Sequence, residues 1–409
     1  MQRTLYSFVG TGNYKPAYYT WKGQEAQSPF MPVVLNQFFE PDRIVLFMTK
    51  EARAKHYKDL SELPLAFEVM DIPTGGSEVE LWELFDCISS AFQEEETAII
   101  DVTHGFRFQP LLGITAAIYL QTVKSIQVER IVYGAFDPNS HSSDHRAPIF
   151  DLTPLLDIIE WSQGSRRFHE RGDAGVLKEL IQKLSKRAYV EGSIIKPKYL
   201  SGFANKWEDW TNALSLNRIS QIPDFSQALK KSTEQVREDL QHIAGTTPLR
   251  PILSQISQDL NAFLPIPPTP DASERSLSIL QIKQHWEIVQ WYLSHNQFVN
   301  ALTLANEIIV SIGVVLEFQE SIQNFDARNK ATRLFGSINK ATQDKDVEKL
   351  DTYTENQKSM ASYYHLVSEL RNDINHCGFR DAAATKPNSI IQTIHSRLAT
   401  VKTLIIKLL

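Results

Sequence analysis

Short apolar runs alternate with longer amphipathic stretches over the first 156 residues. Five runs have the length and apolar character of strands, and they lie at 5–9, 43–49, 66–72, 97–103 and 130–136. Between them, the segments 78–93 and 109–124 repeat apolar residues every three or four positions, which is the period of a helix. Alternating strands and helices are typical of a mostly parallel sheet covered by helices on both faces. Residues 1–156 are therefore predicted to form a Rossmann-like α/β domain.

The pattern changes to that of helices alone from about residue 157. We expect an all-α connector over 157–264 and a second all-α unit, a helical bundle, over 272–409. A linker at 265–271 separates them, because its four prolines cannot continue a helix and favour an extended chain. Within the second unit, 326–349 is polar and charged without a sustained apolar period, so it is predicted to be a variable or mobile insert.

Composition narrows the class of protein. The chain has 409 residues, of which 42% are apolar and 22% charged, enough to build ample cores in two or three domains. It contains no run of eighteen apolar residues, and its N-terminus leads straight into a strand pattern, so neither a membrane span nor a signal peptide is expected. A net charge of -6 argues against broad electrostatic coating of nucleic acid, which needs many phosphate contacts. Any nucleic acid is therefore expected to meet a local basic pocket.

Cysteine and histidine usage gives no indication of a metal site. Cys87 and Cys377 are the only cysteines, too few for a disulfide framework or a thiolate site, and they indicate a reduced, cytoplasmic protein. A polar loop at 137–148 contains His141, Asp144 and His145, but their spacing fits no closed zinc site. We therefore expect no bound metal, and we interpret this loop as exposed and mobile.

A glycine-flanked turn directly follows the first predicted strand. Its residues are Gly10, Thr11, Gly12 and Asn13, and a turn of this type lets backbone amides approach a phosphate or nucleoside closely. The chain has Lys15 where the full dinucleotide fingerprint would have glycine, and no Walker lysine follows. The turn is thus a candidate nucleotide loop, and a tight glycine turn without a ligand is the open alternative.

The most informative loop follows the fourth predicted strand and reads Asp-Val-Thr-His-Gly-Phe-Arg over 101–107. It precedes a helix, so Thr103, His104, Gly105 and Arg107 should lie at the carboxyl edge of the sheet, where open α/β sheets bind ligands. A hydroxyl, an imidazole, backbone amides and a guanidinium together suit a phosphodiester or a base edge. Two alternatives stay open: His104 caps the strand end, and Arg107 pairs with Asp101.

The segment 369–378 places an arginine, a histidine and small polar side chains in the last turns of a predicted amphipathic helix. Three apolar positions face a core at helical spacing: Val367, Leu370 and Ile374. Residues four apart share a helix face, so Arg371, Asn372 and His376 lie along neighbouring edges of one surface. Gly378, just past this run, is a natural helix stop.

A guanidinium and an imidazole within reach of one phosphate could cleave RNA without a metal ion. RNA supplies its own nucleophile, the 2′-hydroxyl, so the protein need only orient it, move protons and stabilise the charge that develops. The spacing alone is weak support, because Arg237 and His242 repeat it on a charged run. A solvated arginine beside a helix-capping histidine is therefore an open alternative.

Three segments, taken together and in this order, are similar to one family. Residues 6–14 (YSFVGTGNY), 101–107 (DVTHGFR) and 371–376 (RNDINH) resemble the CARF-HEPN ribonucleases of type III CRISPR systems, and so does a helical lead-in at 291–311. The resemblance implies a sensor and an effector in one chain. Its three parts would be a Rossmann-like CARF domain at 1–156, the helical connector at 157–264, and an all-α HEPN ribonuclease bundle at 272–409.

The resemblance also implies a ligand, a substrate and a homodimer. In that family two CARF domains bind a cyclic oligoadenylate across their two-fold axis, which here places the ligand near two sets of residues: Gly10, Thr11, Gly12 and Asn13, and Thr103, His104, Gly105 and Arg107. Two HEPN domains pair to build one composite ribonuclease centre, which places catalysis on Arg371 and His376 with Asn372 in support. The implied activity is allosterically activated cleavage of single-stranded RNA in antiviral defence, giving 2′,3′-cyclic phosphate ends without a cofactor. Some relatives also degrade their activator in the CARF pocket, and the sequence leaves that open here.

A second class of function stays open, namely a nucleotide-sensing regulator or interaction protein whose helical domain does not catalyse. The polar Arg-Asn-x3-His surface favours the enzyme, because an inert bundle has no need of these groups together. A basic helix-turn-helix pattern is missing, which weakens a DNA-binding regulator. A nucleotide-binding oxidoreductase is disfavoured by the incomplete glycine fingerprint.

Overall fold

The computed structural model describes residues 1–105, 108–136, 146–190, 195–267, 273–377, 379 and 386–408. The chain divides into two compact units, Met1–Ile159 and Glu160–Leu409. In the described residues the first unit mixes strands and helices, and the second is helical. The predicted order of an α/β part followed by a helical part is confirmed.

The described strands of the first unit form one mixed sheet. They are β1 (Arg3–Val9), β2 (Ala17–Trp21), β3 (Gln24–Ser28), β4 (Arg43–Met48), β5 (Glu68–Asp71), β6 (Thr97–His104), β7 (Gln127–Gly134) and β8 (Arg146–Asp151). Their spatial order is β3-β2-β8-β7-β6-β1-β4-β5. The pairs β1–β4, β1–β6, β4–β5, β6–β7 and β2–β8 are parallel, whereas β7–β8 and β2–β3 are antiparallel. A parallel centre of this kind is the Rossmann-like arrangement that the sequence predicts.

Helices connect these strands. The described ones are α1 (Met31–Phe39), α2 (Lys50–Ser61), α3 (Glu78–Ala91), α4 (Phe108–Val123) and α5 (Pro154–Arg171), which leads out of the unit. The five predicted strands and the two predicted helices of this part are confirmed. The sequence pattern misses β2, β3 and β8, because β3 and β8 expose more than half of their residues and β2, although mostly apolar, is only five residues long. Of these three only β3 lies at an edge of the described sheet, and all three lack the continuous buried run of a strand covered on both faces.

Alternate side chains of the central strand enter two separate hydrophobic clusters. Leu5 and Val9 of β1 belong to the cluster that contains Met31 and Leu35 of α1. Tyr6 and Phe8 belong to the second cluster, which includes side chains of α3 and α4. Because successive strand residues point to opposite faces, β1 is covered on both sides. This double burial explains why β1 has apolar residues at both odd and even positions, with Ser7 as the one polar residue between Leu5 and Val9.

The second unit is built from helices that pack around one core. After α5, its described helices are α6 (Gly175–Val190), α7 (Leu200–Ser215), α8 (Ile222–His242), α9 (Leu249–Phe263), α10 (Glu274–Ser294), α11 (Phe298–Gly313), α12 (Phe325–Gln343), α13 (Val347–Asp351), α14 (Glu355–Asn375) and α15 (Pro387–Leu408). A π-helical turn, Val314–Phe318, extends α11. One continuous cluster of buried apolar side chains includes residues from α5 through α15.

That core joins the two sides of the predicted proline-rich linker. Trp210 of α7 packs edge-on against Trp291 of α10, with ring centroids 5.7 Å apart. The Gln284 side chain of α10 donates a hydrogen bond to the carbonyl oxygen of Leu264 at 2.6 Å, directly before the linker. The predicted domain boundaries at residues 264 and 272 stay a prediction, and the connector and terminal helices share their hydrophobic interior.

The predicted insert at 326–349 is wrong, because most of it is helical. Helix α12 buries one stripe of side chains: Ala327, Ala331, Phe335, Ile338 and Ala341. Three of these are alanines, whose small side chains leave little apolar signal in a charged segment. The stripe nevertheless has helical spacing and packs against α14 and α11.

The end of α14 also differs from its sequence-based prediction. The helix ends at Asn375 with His376 as its C-cap, and Cys377 takes the left-handed conformation with φ 57°. The amide of Cys377 donates to the carbonyl oxygen of Ile374 at 3.0 Å, as in a helix-terminating turn. Cys377 therefore has the conformation that Gly378 was expected to provide, and Gly378 itself lies outside the described residues.

The segment Phe298–Phe318 is the one described stretch long and apolar enough to cross a membrane by composition. It comprises α11 and its π-helical turn, and 72% of its most apolar window is buried inside the protein. Burial of this extent is expected of a helix at the centre of a protein core.

Candidate functional sites

The two loops selected from the sequence meet at one point on the carboxyl edge of the sheet. In the parallel centre of the sheet, β4 and β5 lie on one side of β1 and the later strands β6 and β7 lie on the other, so the strand order reverses between β1 and β6. Ligands of open α/β sheets bind at this type of switch point. The amide of Gly10, after β1, donates to the carbonyl oxygen of His104, at the end of β6, at 2.9 Å. The predicted neighbourhood of the loops is thus observed.

Helix α2 holds the first loop from outside. Lys55 Nζ donates to the carbonyl oxygen of Thr11 at 2.7 Å and to Asn13 Oδ1 at 2.5 Å. His56 Nε2 lies 2.9 Å from the carbonyl oxygen of Gly12. The sequence analysis missed Lys55 and His56, because they lie in a helix with no recognisable motif. Lys55 also brings an exposed positive charge to the loop, where a phosphate would be stabilised.

Aromatic rings form the floor between the loops. The ring centroid of Tyr14 lies 4.2 Å from that of His104 and 4.9 Å from that of His56. The Tyr14 hydroxyl donates to the carbonyl oxygen of His104 at 3.1 Å. Burial, with a smaller contribution from nearby His56, lowers the pKa of His104 to about 4. The His104 imidazole is therefore neutral at pH 7, and such a cluster of rings suits the stacking of a nucleobase.

His104 Nε2 is buried and has no hydrogen-bond partner among the described residues. Capping of the strand end would engage the His104 backbone and would not account for this ring nitrogen, and capping stays an open alternative. Its partner in the predicted loop, Arg107, lies outside the described residues. Whether Arg107 pairs with Asp101 thus stays a prediction.

Asp101 is a structural support for this edge. Its fully buried carboxylate accepts hydrogen bonds from Ser7 Oγ at 2.6 Å and from Thr103 N and Oγ1 at 2.9 and 2.5 Å. Thr103 Oγ1 in turn accepts from the amide of Gly134 at 2.9 Å. Burial raises the pKa of Asp101 to about 6, against the effect of its three donors. The hydroxyl of Thr103 is thus occupied in joining β6 to β7, and its role as a ligand contact stays a prediction.

The glycines of both loops are needed for close packing. A Cβ atom on Gly10 would lie 2.7 Å from the carbonyl oxygen of His104, and one on Gly12 would lie 2.9 Å from Tyr14 Cε1. A Cβ atom on Gly105 would lie 3.0 Å from both Phe8 Cβ and Pro110 Cδ. A larger side chain at Gly10 would push the two loops apart, whereas one at Gly12 or Gly105 would displace the neighbouring side chains. Gly10 therefore keeps the backbone of one loop against the other.

A cavity of about 360 Å³ opens beside the first loop. Asn13, Tyr14, Phe30 and His56 contribute to its walls. It places the amide of Asn13 and the ring cluster on one surface. The predicted ligand-binding residues Thr11 and Asn13 are therefore brought together with Lys55 and His56.

The second candidate site is at the C-terminal end of α14. The guanidinium of half-buried Arg371 donates from Nη2 to Asn372 Oδ1 at 3.1 Å. Its Nε is buried without a hydrogen-bond partner among the described residues. His376 is exposed, and its amide donates to the carbonyl oxygen of Asn372 at 2.9 Å. Asn372 thus contacts both predicted catalytic residues.

Helix α14 is held by its neighbours in the core. Val367 and Leu370 are buried, and Ser368 Oγ donates to Oδ1 of the buried Asn306 on α11 at 2.7 Å. Arg397 of α15 donates to the carbonyl oxygen of Leu366. These contacts fix the rotation of the helix and therefore the direction of its last turn. The sequence analysis missed Asn306, because a single polar residue in an apolar helix has no motif.

The pair with the same spacing on α8 has a different environment. Arg237 and His242 are both exposed, and Arg237 has no hydrogen-bond or ion-pair partner in the described part of the chain. Arg371, in contrast, is half-buried and oriented by a neighbouring amide. A guanidinium that is partly withdrawn from water binds an anion more strongly than a solvated one. The structure thus distinguishes two pairs that spacing alone could not.

Two segments of the chain match known protein families. Residues 4–138 match the family described as CRISPR system endoribonuclease Csx1, CARF domain. Residues 157–264 match the second domain of CRISPR-associated protein MJ1674. Together the matches support a CRISPR-associated protein with an N-terminal CARF domain. The CARF part of the resemblance is confirmed, whereas the HEPN part over 272–409 stays a prediction.

Two individual proteins are similar to the chain. The CRISPR-associated protein MJ1674 of Methanocaldococcus jannaschii is 29% identical over 129 residues, which are 29% of this chain and 20% of that protein. The alignment therefore spans a fifth of that relative. A solved structure, Enterococcus italicus Csm6 bound to cyclic hexa-2'-fluoro-hexa-dAMP, aligns over 100% of this chain and 94% of its own. Its identity is 11% and its TM-score 0.40, a likeness too low to carry an argument.

Proposed function

We propose that this protein is a cyclic-oligoadenylate-activated, metal-independent endoribonuclease that cuts single-stranded RNA in type III CRISPR antiviral defence. The CARF domain would sense the activator and a HEPN bundle over 272–409 would cleave RNA, in a cytoplasmic homodimer. The observation that carries the catalytic part is the environment of Arg371 at the end of α14. A half-buried, oriented guanidinium, whose Nε has no hydrogen-bond partner in the described part of the chain, stands five residues before an exposed imidazole.

The proposed chemistry follows from what these groups can do. Arg371 would stabilise the negative charge that develops on the phosphate during attack by the 2′-hydroxyl. His376, exposed at the helix end, would orient or deprotonate that hydroxyl or protonate the leaving oxygen. Asn372 would hold the guanidinium in place. The bond to the 5′-oxygen breaks as the 2′-oxygen bonds to phosphorus, which leaves a 2′,3′-cyclic phosphate.

The sensor part is supported by the CARF match and by the switch-point geometry. Gly10, Thr11, Gly12 and Asn13 form one wall of the site. The end of β6 with His104 forms the other. Neutral stacking rings and the positive charge of Lys55 suit adenine bases and linking phosphates, respectively.

An exposed apolar face supports pairing of two CARF domains. Five large side chains of α3 and α4 are more than half exposed: Val79, Trp82, Leu111, Tyr119 and Val123. Phe85 links this face, since its ring centroid lies 6.2 Å from that of Trp82 and 5.8 Å from that of Tyr119. An exposed tryptophan that contacts other aromatic rings beside exposed apolar side chains is typical of a protein interface. A second copy of this chain is the occupant that the proposed homodimer requires.

The deciding experiment is RNA cleavage in the presence of a chelator, without activator and with cyclic tetra- or hexa-adenylate. Arg371→Ala and His376→Ala should each abolish cleavage of a single-stranded substrate while the activator still binds. Arg237→Ala and His242→Ala are matched controls with the same spacing, and they should cleave at the wild-type rate. Cleavage that persists in both α14 variants would contradict the catalytic assignment.

The sensor needs its own test. Replacing His104 and Arg107 together with alanine should remove activation and activator binding while the Arg371 and His376 site stays intact. Undiminished activation would contradict the sensor assignment. Activator binding by a wild-type protein that cuts no RNA under any condition would favour the alternative, a non-catalytic nucleotide-sensing regulator.

A further inference from the structure

A cavity of about 480 Å³ lies within the helical unit. Its walls come from the segment before and at the start of α8, from Pro265 and Ile266, from α10 and α11, and from the segment leading into α12. None of its lining residues belongs to the sheet-edge site or to the Arg371 site. This volume is within the range of small-molecule sites in proteins.

Most of the surface area of the cavity wall is apolar. The main apolar contributors are Ile219, Pro223, Ile266, Leu277, Leu304 and Ile322. Side chains from five different segments converge here and leave the cavity between them unfilled. A cavity of this size lined only by carbon would suit a hydrocarbon, so its polar groups decide the class of ligand.

The charges of the lining cancel inside the wall. Arg328 Nη2 pairs with Glu307 Oε2 at 2.5 Å. Arg328 Nη1 donates to Ser311 Oγ at 2.9 Å and to the carbonyl oxygen of Ile322 at 2.8 Å. The cation is therefore already occupied, and the carboxylate beside it would repel an anion. Neither a phosphate nor an ammonium group finds an unpaired counter-charge in these contacts.

Among the uncharged polar side chains of the lining, Gln284 of α10 is already bonded to Leu264, and two others on the same helix remain available. His285 and Gln281 of α10 line the cavity, and neither side chain forms a hydrogen bond with the described part of the chain. Burial, reinforced by nearby Arg328, lowers the pKa of His285 to about 4, so its ring is neutral at pH 7. A neutral imidazole offers one donor and one acceptor, and a primary amide offers both. Amide side chains of this type pair with the edges of nucleobases.

We propose that this cavity binds a neutral, planar heteroaromatic molecule of nucleoside size, with its flat faces on the apolar walls and its polar edge on His285 and Gln281. This inference goes beyond the proposed function, because it concerns neither the activator nor the RNA-cleaving groups. The class of ligand follows from three features together: the volume, the apolar walls and the uncharged hydrogen-bonding edge.

The position of the cavity lets such a ligand affect the Arg371 site through α11. Leu304 and Glu307 of α11 face the cavity, and Asn306 between them accepts the hydrogen bond from Ser368 of α14. The ligand would contact one side of α11 while the other side holds the helix that carries Arg371. A bound ligand would therefore restrain α11, and through it the position of α14.

Adenosine is the probe, and binding to the full-length protein is measured by calorimetry at pH 7. We expect saturable binding to the wild type and at least tenfold weaker binding of AMP, since its phosphate meets Glu307 and an occupied Arg328. His285→Phe keeps an aromatic ring but removes both hydrogen-bonding nitrogens, and it should weaken adenosine binding at least fivefold.

A matched pair of variants locates the binding. Leu277 lines the cavity and is 38% exposed, whereas Leu280 is on the same helix, 44% exposed, and does not line it. Leu277→Trp should block the cavity and abolish adenosine binding, and Leu280→Trp should bind as the wild type does. Thermal unfolding of both variants reports whether each is folded. No saturable binding by the wild type, unchanged binding by Leu277→Trp, or tighter binding of AMP than of adenosine would each overturn the proposal.

Discussion

Ser368 lies one helical turn before Arg371 on α14, and its hydroxyl donates a hydrogen bond to Oδ1 of the buried Asn306 on α11 at 2.7 Å. A hydrogen bond between two packed helices fixes how one is rotated against the other. The direction in which Arg371 and His376 point therefore depends on a residue 65 positions before Arg371 in the sequence (371 − 306). The proposed ribonuclease site is thus supported by α11 as well as by its own helix.

Ser368→Ala should slow RNA cleavage by roughly tenfold while activator binding is unchanged, since small losses of orientation are costly to catalysis. The substitution leaves the Asn306 amide oxygen buried without this donor, which should lower the free energy of unfolding by about 1–2 kcal/mol. Single-turnover cleavage and urea unfolding measure the two effects. Ser362→Ala, at an exposed position of the same helix, is the control and should alter neither. Equal cleavage rates in both variants would show that the bond does not position the site.

Gly10→Ala should weaken activator binding at least tenfold. Its Cβ atom would lie 2.7 Å from the carbonyl oxygen of His104, a contact that forces the two loops apart. We expect a loss of about 1–3 kcal/mol in the free energy of unfolding as well. Gly202→Ala is the matched control, because a Cβ atom there meets nothing within 4 Å and alanine favours the helix. Activator titrations and urea unfolding of both variants test this, and an unimpaired Gly10 variant would refute the close-packing argument.

Lys55→Ala should weaken activator binding without changing the maximal cleavage rate. Lys55 Nζ holds Thr11 and Asn13 by two hydrogen bonds and provides positive charge at the loop. We expect a loss of about 1–2 kcal/mol in binding, or roughly five- to thirtyfold. Lys58→Ala, three residues later on the same exposed helix surface, should bind normally. The dependence of cleavage on activator concentration separates affinity from rate, and a lowered maximal rate with unchanged affinity would contradict the assigned role.

Asp101 should make the stability of the first unit depend on pH. Burial raises the pKa of Asp101 in the folded protein to about 6, whereas an unfolded aspartate has a pKa of about 3.9. The folded state therefore holds an extra proton between these values, and the free energy of unfolding falls as the pH rises through that window. The full difference corresponds to up to about 3 kcal/mol, most of it lost by pH 7.

Asp101→Asn is the test of this dependence, because an amide cannot be deprotonated. Urea unfolding of wild type and variant between pH 4.5 and 7 should show the wild type gaining stability relative to the variant as the pH is lowered. The asparagine oxygen can still accept from Thr103 N and Oγ1, so the variant should fold. Parallel curves for the two proteins would mean that Asp101 keeps an ordinary pKa.

The sequence predicts the α/β part well because its strands are covered on both faces. Leu5, Tyr6 and Phe8 are all buried, and the segment 5–9 is apolar except for Ser7, so the sequence indicates a strand that is covered on both faces. The same logic fails at β3, where only Ala26 and Ser28 are buried. A strand that owes its place to pairing with β2 leaves no comparable pattern in its own residues.

The sheet-edge site is predictable where glycines are involved and unpredictable where support comes from elsewhere. Gly10 marks a place where two backbones must approach, Gly105 marks one where side chains pack against the backbone, and both stand directly after strands. Lys55 and His56 reach the same place from α2, a helix whose composition gives no reason to single them out. Tertiary packing alone brings them to the loop.

Helix α14 illustrates a third case, in which the element is predictable and its ending is not. Helical spacing correctly placed Val367 and Leu370 in the core. The left-handed residue, however, is Cys377, a conformation usually left to glycine or asparagine. Local preference predicted Gly378, and the tertiary fold ends the helix before that glycine is reached.

The core shared by the helices before and after the proline-rich segment predicts what a break in the polypeptide there would do. Trp210 and Trp291 pack together across the segment 265–271, and the apolar cluster continues on both sides of it. A single protease cut within 265–271 would break the polypeptide without removing this packing. The two fragments should migrate together on size exclusion and separate only in denaturant. The folded unit is therefore expected to persist without an unbroken backbone at this point, because the shared hydrophobic core holds its helices together.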